Sequence, residues 1–506
     1  MPESWWTVLF HRQCRAEMTA KSKSILIWGS LLLVCVLSRL ASAIFYIEDI
    51  DSLRFAQSAV EYDVLNNKPH FPGYPLFCAL LQLVYWIIGS TAYSFSLIGG
   101  IATFLIVAAT IRIQRLMMPK GHAVYLLGII LFFSPLLWLM GNRYMPDLLG
   151  LGVLQVALWL LLEYRIGEGK KQNLSVLVFL GIAIGFLAGV RLSFLPFFLP
   201  AFFFLRRKEH LLFLIGGGLV GGLLWFLPWV TVVGGPALLE LATHDARGHF
   251  TEWGGTVMSE NASLSLRLIR MARALFADGF GGWWMDRNPS TMVTSVSLLV
   301  MGIGALVRIR KGGWPRGTVV LLACCLAYAV WVFFFQNIVY KPRHILPLIP
   351  AMALFLGSGA DALKHKLGRI GSALMLCVFM LVYVLTSMVL VTQHQSPSAL
   401  AQVRRHVHQQ EGEVWLLSSN QLLGFYLKQT LPNHRLHFVK SESQFKSKCN
   451  SEECVVLLTH GPLKSNSLSP LDEVWFYHNP YVNQLWPHFH INTYEVCPDS
   501  PYLEPV

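Results

Sequence analysis

Charged residues are scarce in this sequence of 506 residues: Asp, Glu, Lys and Arg make up 13% of it. A typical soluble protein has about 25%. Hydrophobic residues make up 54% of the chain, which does not fit a soluble globular enzyme. Apolar runs of about 20 residues, the length that crosses a bilayer, recur between residues 24 and 391. The composition therefore predicts a helical membrane protein.

Three further features are missing from the sequence. No small-residue cleavage site follows the first apolar run, 24–47, so we expect a retained span and not a signal peptide. The spans carry few ionisable residues and show no convincing internal repeat, which is weak evidence against a transporter. No dense ligand spacing such as His-x-x-x-His is present, which weakens the case for a metal site without removing it.

The net charge of +12 is explained by topology and not by nucleic-acid binding. Basic residues are concentrated in short loops between apolar runs, near 12–23, 112–120, 165–171, 206–208, 308–316 and 364–369. Every second loop is basic, which is the positive-inside pattern. It predicts a cytoplasmic N-terminus and excludes nucleic acid as a partner.

The pattern predicts a mainly α, polytopic membrane protein with about eleven transmembrane helices and a small C-terminal α/β domain. The expected divisions are a cytoplasmic segment (1–23), a transmembrane domain (24–391) with a first outer loop (48–92) and a long outer loop (234–290), and an extracytoplasmic domain (392–506). In the last, 414–418, 436–439, 455–459 and 474–477 read as buried strands, and 420–430 as a helix. Two apolar stretches are short for a span: 76–88, which suits the membrane interface, and 192–205, which suggests a broken hairpin.

Glu48-Asp49-Ile50-Asp51 is the strongest candidate for catalytic chemistry. Three carboxylates at the edge of hydrocarbon are costly, so they indicate a specific task. Transfer of a sugar to a hydroxyl needs a carboxylate that takes the acceptor's proton. Asp51, Asp49 and Glu48 are the candidates, and the choice between the two aspartates stays open. The alternative is an acidic helix cap or a solvated loop.

Four cations lie on the outer side, where the positive-inside rule predicts few: Arg143, Arg191, Lys341 and Arg343. Guanidinium and ammonium groups bind phosphate, so these residues are candidates for holding an anionic donor. The alternative for each is that its side chain reaches out to lipid headgroups.

Histidines and aromatic residues add weaker candidates for substrate binding. His70 and Tyr74 belong to the stretch His-Phe-Pro-Gly-Tyr-Pro, which also reads as a rigid turn. His244 and His249 lie in the long outer loop and, with nearby carboxylates, could hold a divalent cation; no other cofactor is indicated. Trp253, Trp283 and Trp284 fit an interfacial belt or sugar stacking. Among Cys449, Cys454 and Cys497, a 449–454 disulfide is one candidate pairing.

Four segments resemble the GT-C superfamily of polytopic glycosyltransferases, near the protein O-mannosyltransferases and the bacterial aminoarabinose transferases of lipid A. Asp51-Ser52-Leu53-Arg54-Phe55-Ala56 is similar to that family's first outer loop, in which the catalytic Asp is usually followed by Glu; here the second residue is Ser52. The other three are His-Phe-Pro-Gly-Tyr-Pro-Leu at 70–76, Arg-Tyr-Met-Pro-Asp at 143–147 and Arg-His-Ile-Leu-Pro-Leu-Ile-Pro at 343–350.

The resemblance covers residues 24 to about 391 and implies a GT-C-like membrane glycosyltransferase. It implies a polyprenyl-phosphate-linked sugar donor, an acceptor that is a glycan, lipid or protein, inversion at the sugar, and Asp51 in the place of the catalytic Asp. Compact loops and few glycosylation sequons favour a bacterial inner membrane. The tail beyond 392 has no implied catalytic role. The rival hypotheses are a transporter or flippase of a lipid-linked or small polar substrate, and a non-catalytic membrane scaffold.

Overall fold

The computed structural model describes residues 5–119, 124–167, 174–205, 207–363, 366–449, 452–463, 468–500 and 502. Parts of the predicted basic loops, at 120, 170–171, 206 and 364, lie outside the described residues, as do the side chains of 5–21.

The described chain is mainly helical, as predicted. Its α-helices are α1 (Trp5–Ala41), α2 (Ile50–Ser58), α3 (Pro75–Ile88), α4 (Thr91–Met117), α5 (Val124–Phe132), α6 (Pro135–Asn142), α7 (Asp147–Ile166), α8 (Leu174–Arg191), α9 (His210–Val233), α10 (Gly235–Thr251), α11 (Leu264–Arg273), α12 (Thr291–Gly312), α13 (Thr318–Phe335), α14 (Ile349–Leu363), α15 (Gly368–Gln395), α16 (Ala399–His408), α17 (Gln421–Thr430) and α18 (Glu442–Lys448). Val64–Asn66, Leu192–Phe204 and Pro342–Leu348 form 3₁₀ turns, and Ala274–Gly279 forms a π-helix. Within these described residues, nine helical stretches are long and apolar enough to cross a membrane, or ten if the bent pair α5–α6 is one broken span.

The short apolar stretch after α8 returns the chain between two parallel helices. Along α8 and α9, successive residues meet in the same order: a Cβ on Gly181 would lie 2.9 Å from the carbonyl carbon of Gly217, and one on Gly185 2.8 Å from that of Gly221. Because α8 and α9 run in the same direction, the segment that connects them, Leu192–Phe204, must cross back to the side where α8 begins. Thirteen residues of 3₁₀ helix rise about 26 Å, close to the hydrocarbon thickness. Counted as a separate pass, this stretch brings the total to the expected eleven.

The span formed by α5 and α6 is broken at Pro135 with a bend of 49°. In a membrane, carbonyls freed by such a break need partners from the protein. Side chains of α1 and α15 supply them: Tyr383 bonds the carbonyl of Ile130 at 2.9 Å, Arg39 that of Phe132 at 3.0 Å, and Ser387 that of Phe133. The first and last spans therefore fix the direction of α6, which ends beside the first outer loop.

The C-terminal part contains a five-stranded sheet in the order β2-β1-β3-β5-β4. The strands are β1 (Val414–Leu417), β2 (Leu436–Val439), β3 (Val455–His460), β4 (Asp472–Tyr477) and β5 (His488–Val496). The first four and α17 were predicted; β5, which pairs antiparallel with both β3 and β4, was not. The disulfide joins Cys454 to Cys497, so the 449–454 pairing considered from the sequence is wrong.

The C-terminal domain lies on the same side of the spans as the first outer loop. Ile50 and Leu53 of α2 share a hydrophobic cluster with Leu400 and Val403 of α16 and with the sheet. The carbonyl of Ile47 also accepts a hydrogen bond from Ser398 at 2.9 Å. These contacts place the acidic loop between the membrane helices and the domain.

Candidate active site

The acidic loop leads directly into α2, and the helix start separates its carboxylates. Asp49 is the N-cap: its Oδ1 accepts the backbone N–H of Ser52 at 2.7 Å. A capping carboxylate stabilises a helix by about 1 kcal/mol. Asp51 lies two residues further on, in the first turn of α2, where its side chain contacts cations from later in the chain. Glu48 precedes the cap and faces a different set of partners.

Asp51 binds two of the predicted outer-side cations through a single oxygen. Its Oδ2 lies 2.8 Å from Nζ of Lys341 and 2.7 Å from Nη2 of Arg343. Burial alone raises the pKa of Asp51, but its basic neighbours, led by Lys341, outweigh burial and hold the pKa well below its usual range. The side chain is 15% exposed. The carboxylate is therefore ionised and still partly accessible.

Asp147 joins two of these cations from the opposite side. Its Oδ1 lies 2.8 Å from Nη2 of Arg191 and 3.8 Å from Nε of Arg343, and its side chain is fully buried. As the first residue of α7, it also faces the positive end of that helix. Arg343 thus stands among three carboxylates, since its Nη1 also lies 4.0 Å from Oδ2 of Asp49. Asp147 belongs to the motif Arg-Tyr-Met-Pro-Asp at 143–147, from which no role for it was predicted.

His70 and Tyr74 connect Arg191 with Asp51. Arg191 donates to the Tyr74 hydroxyl at 3.0 Å, and that hydroxyl lies 3.3 Å from Nε2 of His70. Nδ1 of His70 lies 3.9 Å from Oδ1 of Asp51. Burial lowers the pKa of His70 to about 3, so its imidazole is neutral. The turn is tightly built at Gly73, which has φ +75° and whose Cβ position lies 2.7 Å from the hydroxyl of Tyr62.

Glu48 and Arg143 pair with each other, apart from the other charged residues. Those others form the Asp51 cluster: Asp49, Asp51, Asp147, Arg191, Lys341 and Arg343. Nε and Nη2 of Arg143 each lie 2.8 Å from a carboxylate oxygen of Glu48, and Nε2 of His394 lies 3.0 Å from Oε1. Nη2 of Arg143 also donates to the carbonyl of Val482 at 2.7 Å. This geometry does not support the predicted catalytic role of Glu48, because both of its oxygens are occupied and its side chain is 1% exposed. Nor does it favour Arg143 as a phosphate ligand, because two of its nitrogens are already bonded.

A narrow cleft opens beside these residues. Its walls come from the loop and α6, from the segment before α14, and from residues 481–485 of the C-terminal domain. The lining residues are Asp49, Leu136, Leu139, Met140, Arg143, Tyr340, Lys341, Pro342, Arg343, Tyr481, Val482, Asn483, Gln484 and Leu485. The C-terminal domain therefore forms one side of the cleft, although the resemblance implied no catalytic role for it.

The two histidines of the long outer loop lie in different surroundings. His244 is 71% exposed and its Nδ1 lies 2.9 Å from Oδ1 of Asp245; no contact in the described part of the chain joins it to the Asp51 cluster. His249 is half-buried, and its Nε2 lies 3.1 Å from the carbonyl of Phe335. Burial lowers the pKa of His249, and the charges of Lys341 and Arg191 lower it further. His249 thus borders the cationic cluster, whereas His244 does not.

The site residues do not fit a divalent cation. Each aspartate of the cluster has a Lys or Arg within 4.0 Å, whereas a hard cation needs several oxygen ligands of its own. Among the described residues, the group of ligand atoms close enough to share an ion is Cys454, Glu495 and Cys497, and the two cysteines form the disulfide. No cofactor is established.

The polytopic fold that the sequence resemblance implied is also found among solved structures. Among solved structures, ArnT from Cupriavidus metallidurans bound to undecaprenyl phosphate is similar over 93% of this chain and 98% of that one, with a TM-score of 0.53 and 11% identity. The same enzyme in the apo state has a TM-score of 0.52 and 12% identity, over 94% and 98% of the two chains.

A more distant likeness is to the oligosaccharyltransferase of Archaeoglobus fulgidus tethered to an acceptor peptide. The TM-score is 0.43 and the identity 12%, over 81% of this chain and 63% of that one. No protein-family model and no curated protein matches the sequence. Identities this low establish the fold alone, so the roles of individual residues depend on the geometry above.

Proposed function

We propose that the protein is a membrane glycosyltransferase that transfers a sugar from a polyprenyl-phosphate-linked donor to an acceptor hydroxyl, with inversion. The observation that carries this proposal is the Asp51 cluster: an ionised, partly accessible carboxylate bonded to Lys341 and Arg343, two cations that line a cleft. A base and a phosphate ligand set are the two components that such a transfer requires. The likeness in fold to an enzyme crystallised with undecaprenyl phosphate supports the choice of donor.

In the proposed reaction Asp51 is the base. The acceptor oxygen bonds to the anomeric carbon while the bond from that carbon to the phosphate oxygen breaks. The hydroxyl proton passes to a carboxylate oxygen of Asp51, and the bonding electron pair leaves with the phosphate. Lys341, Arg343 and Arg191 stabilise the phosphate as its charge grows. Asp49 is the less favoured base, because one of its oxygens caps α2.

The proposed site lies on the extracytoplasmic face, with the C-terminal domain. The positive-inside pattern supports a cytoplasmic N-terminus, and an odd number of passes brings the acidic loop and that domain to the other face. The compact outer loops favour a bacterial inner membrane. The acceptor is a glycan, lipid or protein on that face.

The proposal is tested by mass spectrometry of lipid-linked sugars and envelope glycans in cells that carry wild type, Asp51→Asn or Asp49→Asn. We expect Asp51→Asn to accumulate one polyprenyl-phosphate sugar and to lower transfer at least about a hundredfold, the contribution of a general base. The matched control is Glu61→Gln, an exposed acid of the same outer loop, which should behave as wild type. Full transfer by both aspartate variants, each folded and abundant, would falsify the proposal.

A further inference from the structure

Two of the three cations proposed to stabilise the donor phosphate, Lys341 and Arg343, already share one partner. Nζ of Lys341 and Nη2 of Arg343 both bond the same oxygen of Asp51, at 2.8 and 2.7 Å. A carboxylate oxygen that accepts two charge-assisted hydrogen bonds is a poor proton acceptor. In the arrangement described above, the base and the phosphate ligands therefore neutralise each other.

Each cation proposed to hold the donor phosphate already has a carboxylate partner. Three carboxylates, Asp49, Asp51 and Asp147, face three cations, Arg191, Lys341 and Arg343. The charged and titratable groups around Asp51 also include His70 from the turn before α3 and Arg54 from α2. A donor phosphodiester can therefore bind Lys341 and Arg343 closely only if it takes them from a carboxylate.

We propose, on the basis of the function given above, that the donor phosphate displaces Asp51 as the partner of Lys341 and Arg343. Asp51 is the carboxylate to lose them because it is partly exposed, whereas Asp147 is fully buried and Asp49 is fixed by the helix cap. Displacement leaves the Asp51 carboxylate without its two cations and directed at the acceptor. Donor binding thus creates the active base.

The charges match this exchange through the reaction. During transfer the phosphodiester, with one negative charge, becomes a monoester that carries up to two, and Asp51 loses its charge when it receives the acceptor proton. The two cations follow the negative charge from the carboxylate to the phosphate. Once the acceptor proton has reached Asp51, the growing charge of the phosphate is matched by the two cations, which matters in a site of low dielectric. Without donor, Asp51 stays neutralised and does not activate an acceptor or water.

The exchange is tested by the affinity of the purified full-length protein for undecaprenyl phosphate in detergent. Because Asp51 competes with the phosphate, Asp51→Asn should bind it about tenfold more tightly than wild type, although transfer is lost. Lys341→Gln should bind it more weakly. Asp49→Asn is the matched control: it removes an equal charge from the cluster but only a 4.0 Å contact to Arg343, so its gain should be clearly smaller.

Each outcome separates the exchange from the proposed function. If Asp51→Asn binds no more tightly than Asp49→Asn while transfer is lost, Asp51 is the base but the exchange does not occur. If wild type does not bind undecaprenyl phosphate and neither aspartate variant affects transfer, the proposed function itself fails. A measurement on wild type needs no folded variant: with ¹³C-labelled aspartate, addition of undecaprenyl phosphate should shift one carboxylate band in the infrared difference spectrum. An unchanged spectrum at saturation overturns the exchange.

Discussion

Glu48 and Asp51 are three residues apart, yet their ion pairs differ in one decisive respect. Glu48 is 1% exposed, bound by Arg143 in a bidentate pair and by His394. Asp51 is 15% exposed, and both of its cations meet at one oxygen beside a cleft. Both are acids at the end of the same span with basic partners from distant helices. They differ in whether those partners can accept a different anion.

The Glu48–Arg143 pair, here called the closed pair because its partners are fully engaged, also holds the acidic loop to the C-terminal domain. Asn483 donates to the backbone carbonyl of Glu48 at 3.1 Å, and Arg143 donates to that of Val482. The loop end that precedes Asp49 is therefore fixed from both sides. We infer that Glu48 and Arg143 position the loop, and that Asp51 and its cations perform the chemistry.

The largest predicted effect comes from breaking the closed pair. Glu48→Gln leaves the Arg143 guanidinium buried without its counter-charge, which costs about 3–5 kcal/mol of folding stability. The melting temperature in detergent should fall sharply, whereas Asp51→Asn should lower it less, because Arg343 keeps Asp49 and Asp147 within 4.0 Å. The double variant Glu48→Gln with Arg143→Met removes the unpaired charge and should recover part of the loss. A Glu48→Gln protein as stable as wild type would contradict the distinction between the two pairs.

A smaller, pH-dependent effect is predicted for Asp278, a buried acid of the outer region that accepts from Gln484 at 3.0 Å. Burial raises its pKa to about 6, against the opposing charge of Arg287. A raised pKa means that its contribution to stability is complete below about pH 4 and is lost as the pH rises through 6. Asp278→Asn should therefore increase stability at pH 8, by at most about 3 kcal/mol, and hardly at all at pH 4. Equal melting shifts at both pH values would refute this assignment.

The smallest effect is predicted for an exposed ion pair of the same loop. Glu61 lies 2.6 Å from Lys68, but its side chain is 63% exposed. Pairs of this kind contribute about 0–1 kcal/mol, because water screens them. Glu61→Gln should lower the free energy of unfolding, measured by melting, by no more than about 1 kcal/mol. This loss should shrink further in high salt. A loss as large as that of Glu48→Gln would show that burial does not rank these pairs.

Much of the fold could be predicted from the sequence because membrane spans have a simple physical signature. Apolar length and basic loops indicated the passes, including the short return at 192–205. Strand β5 was missed because it does not form a short apolar run; the alternation in His-Phe-His-Ile is itself a strand signal that was not used. The span break at Pro135 was also missed, since nothing in the local pattern shows which distant side chains bond the freed carbonyls.

The candidate site was predicted in its residue types but not in its pairings. The cations at the outer ends of spans were visible because they depart from the positive-inside rule. Which carboxylate each one meets depends on contacts between distant parts of the chain, 290 residues apart for Lys341 and Asp51, and no local pattern encodes this. Asp147 was quoted without a role, and the cleft wall at 481–485 gave no signal at all.

The broken span α5–α6 has a consequence for the order in which the protein can mature. The carbonyl of Ile130 is bonded by the hydroxyl of Tyr383, which is synthesised 253 residues later. Glu48 pairs with the imidazole of His394, which is synthesised 346 residues later. At the usual rate of ribosomal synthesis, the second interval takes roughly 20 to 70 s. For that time the nascent chain carries the acidic loop without the helix that closes it. The cleft is therefore among the last parts to form, and a chain that stops before α15 contains every proposed catalytic residue but no finished site.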